Sequence, residues 1–178
     1  MHTKKIIIVG NGSTLLDKEN GSLIDSFDTI VRFNSYKISG FEKYVGTKTN
    51  IWFTCNRAHI KDCNTLERVI EHSWQWNPEK DQIFQSILSV YPKCEKTKRE
   101  FVRNKIPLKN PSTGIIAIFM MIEDQEYEKP IYITGFDWWL TDKHHYGDNE
   151  RRGALHSPSE EYQIISGLVN EGKVKFLE

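Results

Sequence analysis

The sequence predicts an α/β fold, a mostly parallel sheet with helices on both faces, in one domain spanning residues 1–178. Three observations carry that expectation. Short β-branched runs alternate with helical segments, which calls for crossovers between parallel strands. The first strand opens into a glycine turn, as phosphate-binding sheets of this class do. No linker, repeat or low-complexity stretch divides the chain.

The elements follow in order. "KIIIVG" (5–10) and "DTIVRFN" (28–34) read as strands, with "LLDKENGSLIDSF" between them as a short helical crossover. After the turn "VGTKT", "TNIWFTCN" (49–56) is a third strand and "ERVIEHSW" holds a fourth. "IYITGF" (131–136) is a strong fifth, and "KVKFLE" is the last. Helices fit 78–91, 95–104, 112–124 and 158–171.

Composition narrows the function. Hydrophobic residues make up 38% and charged residues 27%, a globular mix. Twenty-four Lys and Arg balance 24 Asp and Glu, so no overall field recruits nucleic acid. No apolar run approaches the roughly 20 residues of a bilayer span. The apolar run in "MHTKKIIIVG" is too short for a signal peptide, so the expected location is cytoplasmic. Cys55, Cys63 and Cys94 are odd in number and irregularly spaced, which fits neither a disulfide framework nor a zinc site.

The turn "GNGST" (10–14) is the first candidate site. Glycine lets the backbone approach a phosphate, and a following helix presents unpaired N–H groups to it. A dinucleotide fingerprint is incomplete, because Leu15 stands where the third Gly belongs. The second strand also ends in Asn34 rather than an acid for a ribose. Asn11 and Asn34 instead emerge side by side if the first two strands are neighbours. Their amides suit a ribose hydroxyl or a pyrimidine edge, which favours a mononucleotide. The competing reading is a turn that merely reverses the chain.

A second turn, "KNPSTGIIAIFMMI", brings Ser112, Thr113 and Gly114 to the start of an apolar, buried helix. N-capping by Ser or Thr explains the hydroxyls equally well. In "KHHYGD" (143–148), His144, His145 and Asp148 are conceivable metal ligands, and a solvated loop is the plainer reading. "LHSPSEEYQII" places Ser157 as N-cap, Pro158 at the first helical position and Glu160 three after Ser157, a capping box. His156 then lies just outside a helix N-terminus, whose positive end disfavours imidazolium and suits a general base.

These stretches, in this order, resemble the sialyltransferases of glycosyltransferase family 29. Residues 6–34 resemble the long sialylmotif, with its Arg-x-Asn ending, and "YVGTKTNIWF" the segment after it. "NPSTGIIAIFMMI…IYITGFD" resembles the short motif, "HYGD" the third, and His156 with Glu161 the very short one. The resemblance implies a GT-A-like variant of the Rossmann fold, an inverting transfer from CMP-sialic acid, and neither metal nor other cofactor. The acceptor would be an oligosaccharide or glycolipid, with at most peripheral membrane contact. It gives Asn11 and Asn34 to the CMP moiety, and Ser112, Thr113 and Gly114 to the phosphate and sugar carboxylate. His145 would bond the departing phosphate and His156 would be the base. Gly12, Ser13, Thr14, Gly135, Asp137 and Tyr146 complete the expected substrate-binding set. Ile6 replaces the family's disulfide cysteine, which suggests a bacterial or viral relative in the cytoplasm or peripheral to the inner face of the membrane. Gly147 replaces an aromatic of the third motif. A related CMP-ketose such as CMP-Kdo as donor, or a non-catalytic nucleotide-binding module, are the alternatives.

Overall fold

The computed structural model describes residues 3–54, 66–71, 94–96, 99–138, 146 and 156–178. Seven parallel strands form one sheet: β1 (Ile6–Val9), β2 (Thr29–Phe33), β3 (Ile51–Thr54), β4 (Arg68–Glu71), β5 (Cys94–Lys96), β6 (Ile131–Thr134) and β7 (Val174–Phe176). Their order is β5-β4-β3-β2-β1-β6-β7. The chain builds outward from β1 in one direction, then returns to place β6 on its other side. That reversal is the switch point, and in such sheets ligands bind beyond the strand ends there.

β1 shows why the sheet is covered twice. Ile6, Ile7, Ile8 and Val9 are all buried, although alternate side chains point to opposite faces. Ile6 and Ile8 join the larger core, with Ile115, Ile118 and Ile165 from α4 (Thr113–Glu123) and α5 (Pro158–Asn170). Ile7 and Val9 pack on the other face with Leu15, with Ile24 of α1 (Gly21–Ile24) and with Val45 of α2 (Glu42–Val45).

Two expectations are corrected. The segment after the glycine turn is a five-residue 3-10 helix, Ser13–Asp17, which lacks the aligned turns an anion-binding helix terminus needs. Residues 94–96 form β5, and the helix expected from 95 is α3 (Arg99–Lys105). "Cys-Glu-Lys" has no apolar alternation, and its pairing to β4 comes from tertiary context. The helix expected over 78–91 lies outside the described residues.

The segment "VGTKT" is bound by two charged side chains. Arg32, fully buried on β2, donates its Nε to the Lys48 carbonyl at 3.0 Å and Thr49 Oγ1 at 3.1 Å, and Nη2 to the Val45 carbonyl. The Asp25 carboxylate accepts the Thr47 N–H, the Thr47 hydroxyl and the Lys48 N–H, all at 2.8–3.0 Å. Gly46 sits at φ +74, and a Cβ there would meet Asp25 Oδ1 at 2.5 Å. The motif's Arg, Gly and Thr therefore build a clasp between β2 and β3.

Candidate functional site

At the switch point the glycines are explained by a neighbouring backbone. Gly10 N–H donates to the Thr134 carbonyl and Gly12 N–H to the Gly135 carbonyl, both at 2.8 Å. A Cβ on Gly10 would meet Gly135 O at 2.3 Å, and one on Gly12 would meet it at 2.7 Å. Gly135, at φ +70, could not carry a side chain without striking Leu15. The turns after β1 and β6 thus lie directly against each other. Asp137, buried, accepts the Ser13 N–H at 3.4 Å and ties the turns again. Thr14 is exposed on the first turn.

Asn11 and Asn34 do emerge side by side. Parallel pairing of β1 with β2 puts Val9 opposite Arg32, and each asparagine follows two residues later. Asn11 Nδ2 donates to the Phe33 carbonyl at 3.3 Å, while its Oδ1 is buried with no hydrogen-bond donor among the described residues. Asn34 takes the left-handed region at φ 44, which asparagine tolerates better than most residues. Its carbonyl accepts the Trp52 indole N–H at 3.0 Å. Tyr146 is buried beneath this corner. Its N–H donates to the Asn11 carbonyl, and its hydroxyl bonds the Lys37 carbonyl and N–H. Burial raises the phenol above its ordinary range.

The second turn is more highly organised. Ser112 caps α4, its Oγ accepting the Ile115 N–H at 3.3 Å. Its own N–H and hydroxyl donate to the two oxygens of Glu161, each at 2.7 Å. Of the N-terminal amides of α4, Ser112 and Ile115 are thereby satisfied. The N–H groups of Thr113 and Gly114 have no hydrogen-bond acceptor among the described residues, as is usual in the first turn of a helix. Gly114 also lies against Phe136, since a Cβ would meet that ring at 2.7 Å. α4 therefore starts beside the switch point.

His156 closes the arrangement. Its Nδ1 lies 2.9 Å from the Asn110 carbonyl, which can only accept, so Nδ1 carries a proton and donates to it. Three hydrogen bonds therefore join 110–112 to 156–161: one between His156 and Asn110 and two between Ser112 and Glu161. Burial pushes the Glu161 carboxyl above its usual range, against the Ser112 bonds and the charge of His156.

The expected capping box is corrected here. Ser157 occupies the N-cap and Pro158 the first turn, but the Ser157 side chain makes no cap bond and Glu160 is exposed. At φ −107, ψ 81 the cap residue departs from the extended geometry that aims its hydroxyl at the helix. Glu161 faces inward instead, and it is the site residue whose role sequence reasoning missed. Its spacing from His156 was visible, whereas its partner, 49 residues away, was not. His144, His145, Gly147 and Asp148 lie outside the described residues. Among the described residues no group of three or more His, Cys, Asp or Glu could hold a metal ion, and no helix is long and apolar enough to cross a membrane.

Residues 1–73 match the profile of glycosyltransferase family 29 (sialyltransferase). The mouse type 2 lactosamine alpha-2,3-sialyltransferase is 46% identical over 214 aligned positions, covering 96% of this chain and 64% of that one. The chain is thus similar to members of glycosyltransferase family 29. A rat CMP-N-acetylneuraminate-beta-1,4-galactoside alpha-2,3-sialyltransferase is 48% identical over 68 residues, 38% of this chain and 18% of that protein. The chain thus spans less than two thirds of these relatives' length. The crystal structure of a mammalian sialyltransferase superposes with a TM-score of 0.72 at 20% identity, covering 98% of this chain and 69% of that one, and shares its fold.

These relatives overturn two expectations. A bacterial or viral affinity is not supported, since they are mammalian. The cytoplasmic placement, including the inner face of the membrane, falls as well. It rested on the short apolar run in "MHTKKIIIVG", on that affinity and on Ile6, yet Ile6 is a wholly buried core residue whose packing says nothing of redox compartment.

Proposed function

We propose that the protein is an inverting, metal-independent sialyltransferase, one CMP-sugar-binding domain that moves sialic acid from CMP-sialic acid to a glycan hydroxyl. The observation that carries the reading is the two-point join of His156 and Glu161 to the turn that opens α4. It ties His156, the proposed base, and the start of α4 into one framework beside the switch point, which supports the reading. The relatives' printed names, all of galactoside or lactosamine sialyltransferases in the cases above, make a galactose-terminated glycan the proposed acceptor.

In this reading Asn11 and Asn34 bind the cytidine end, with the buried Asn11 Oδ1 as an acceptor for a nucleoside donor group. The Thr113 and Gly114 amides face the phosphate, where preorganised donors stabilise developing charge. Gly12, Ser13 and Thr14 border it; Gly135 and Asp137 hold that border in place. Ser112 acts through its cap and Tyr146 through its support of Asn11. The acceptor oxygen attacks the anomeric carbon while CMP leaves from the opposite face, inverting the centre. The hydroxyl proton passes to His156 Nε2. His145, assigned from sequence alone, donates to the departing phosphate.

A thermal-shift screen tests this. CMP at 100 times its dissociation constant should stabilise the protein by about 2.7 kcal/mol, with NAD and UDP doing less. Transfer from CMP-sialic acid should survive excess chelator. Stabilisation by NAD and not CMP, or activity lost to chelator and restored by Mn²⁺, would refute the reading.

A further inference from the structure

A row of aromatic rings runs between the two helix starts. Phe136 packs on Gly114 at the first turn of α4. Trp138 stacks on Phe136, with centroids 5.5 Å apart and planes inclined by 29°. Tyr162, in the first turns of α5, meets Trp138 edge-on at 5.7 Å. The row therefore begins at the amides proposed for the phosphate and ends on the helix that His156 precedes. Two features of its outer end are not explained by packing. Tyr162 is 49% exposed, the most exposed large hydrophobic residue among those described. Trp138 is held at φ 47, a left-handed conformation that is strained for a bulky residue and clusters at ligand sites. A hydrophobic residue gains nothing from exposure, so the pair invites an apolar surface of modest size.

We propose that Trp138 and Tyr162 form the platform on which the acceptor's sugar ring stacks, one apolar pyranose face against the rings. This rests on the sialyltransferase reading, which fixes the direction. The donor occupies the Gly114 end, so the incoming sugar lies toward α5, where its hydroxyl can reach His156. Aromatic walls with a few polar groups are the usual lining of such sites.

Steady-state kinetics with CMP-N-acetylneuraminate and N-acetyllactosamine test the platform, alongside donor hydrolysis, the slow transfer to water that needs no acceptor. Tyr162→Ala should raise the KM for N-acetyllactosamine about tenfold and Trp138→Ala by more. The donor KM and donor hydrolysis should stay within twofold of wild type, and Tyr162→Phe should restore the acceptor KM. Unchanged acceptor KM in Tyr162→Ala, or a raised donor KM in its place, would overturn the platform. Tyr162 is exposed, so its variants remain informative if Trp138→Ala fails to fold. A wild-type protein that neither binds CMP nor hydrolyses the donor would remove the sialyltransferase reading itself, a result distinct from the other two.

Discussion

Asp25 and Glu161 use one device in two places. Each carboxylate takes the N–H and the hydroxyl of a single Thr or Ser: Thr47 for Asp25, Ser112 for Glu161. Their acidities nevertheless move in opposite directions. Burial raises both, but at Asp25 it is outweighed by the Lys48 N–H, the two Thr47 bonds and the Arg32 charge, which leave the carboxyl below its ordinary range. Glu161 is nearly inaccessible, has no third donor among the described residues, and stays above. The clasp at Asp25 keeps its charge at little cost and secures a crossover. The clamp at Glu161 keeps a charge where burial opposes it, beside His156. Perturbed groups of that kind concentrate at functional sites.

The largest effect should come from the histidine that the clamp serves. His156→Ala should lower turnover by about two to four powers of ten, the usual contribution of a base, while CMP affinity stays near wild type. His145→Ala should lose turnover and also weaken CMP, since a charge-assisted donor to phosphate is gone. Calorimetry with CMP separates the two. Near-normal turnover in His156→Ala would place the base elsewhere and strip the comparison of its functional side.

The carboxylates themselves come next. Glu161→Gln keeps the shape but puts an amide donor opposite the Ser112 hydroxyl, loosening the first turn of α4. Turnover should fall about 10- to 100-fold, the scale on which small misplacements act. Asp25→Asn should instead cost about 1–2 kcal/mol of stability through weakened bonds to Thr47 and Lys48. Its turnover per folded molecule should not change. If both variants lose only stability, the clamp is architecture like the clasp.

How much of this was legible depends on how far apart in the chain the interacting residues are. β1 and β6 declare themselves by β-branched and aromatic residues followed by glycine, and the neighbouring positions of Asn11 and Asn34 follow once β1 pairs with β2. The Ser112 cap was equally readable, because its partner Ile115 lies three residues on. β5 was not, having neither apolar period nor branched residues. Nor was the contact of Gly10 and Gly12 with Gly135. Glycine permits a close backbone approach without saying which backbone approaches. In α5 the sequence offered two glutamates, and the capping pattern pointed to Glu160. The fold chose Glu161, because burying that side chain against Ser112 satisfies two donors that no local residue could.

The smallest effect sharpens the comparison through pH. The Glu161 carboxyl is raised in the folded protein, so the native state holds its proton more tightly than the unfolded chain does. Its contribution is fully present below the ordinary value of 4.5 and is lost as pH rises through the folded value. Asp25 has the opposite sign: its contribution is present above the ordinary value of 3.8 and is lost as pH falls through the lowered folded value. Thermal unfolding from pH 7 down to about pH 4.5 therefore isolates Glu161, since Asp25 remains ionised in both states over most of that window. Wild type should gain on Glu161→Gln as the pH falls, by a few degrees at most. Asp25→Asn should track wild type across the same range. A gap between wild type and Glu161→Gln that narrows on acidification would mean that the Ser112 bonds outweigh burial. Glu161 would then be a second Asp25.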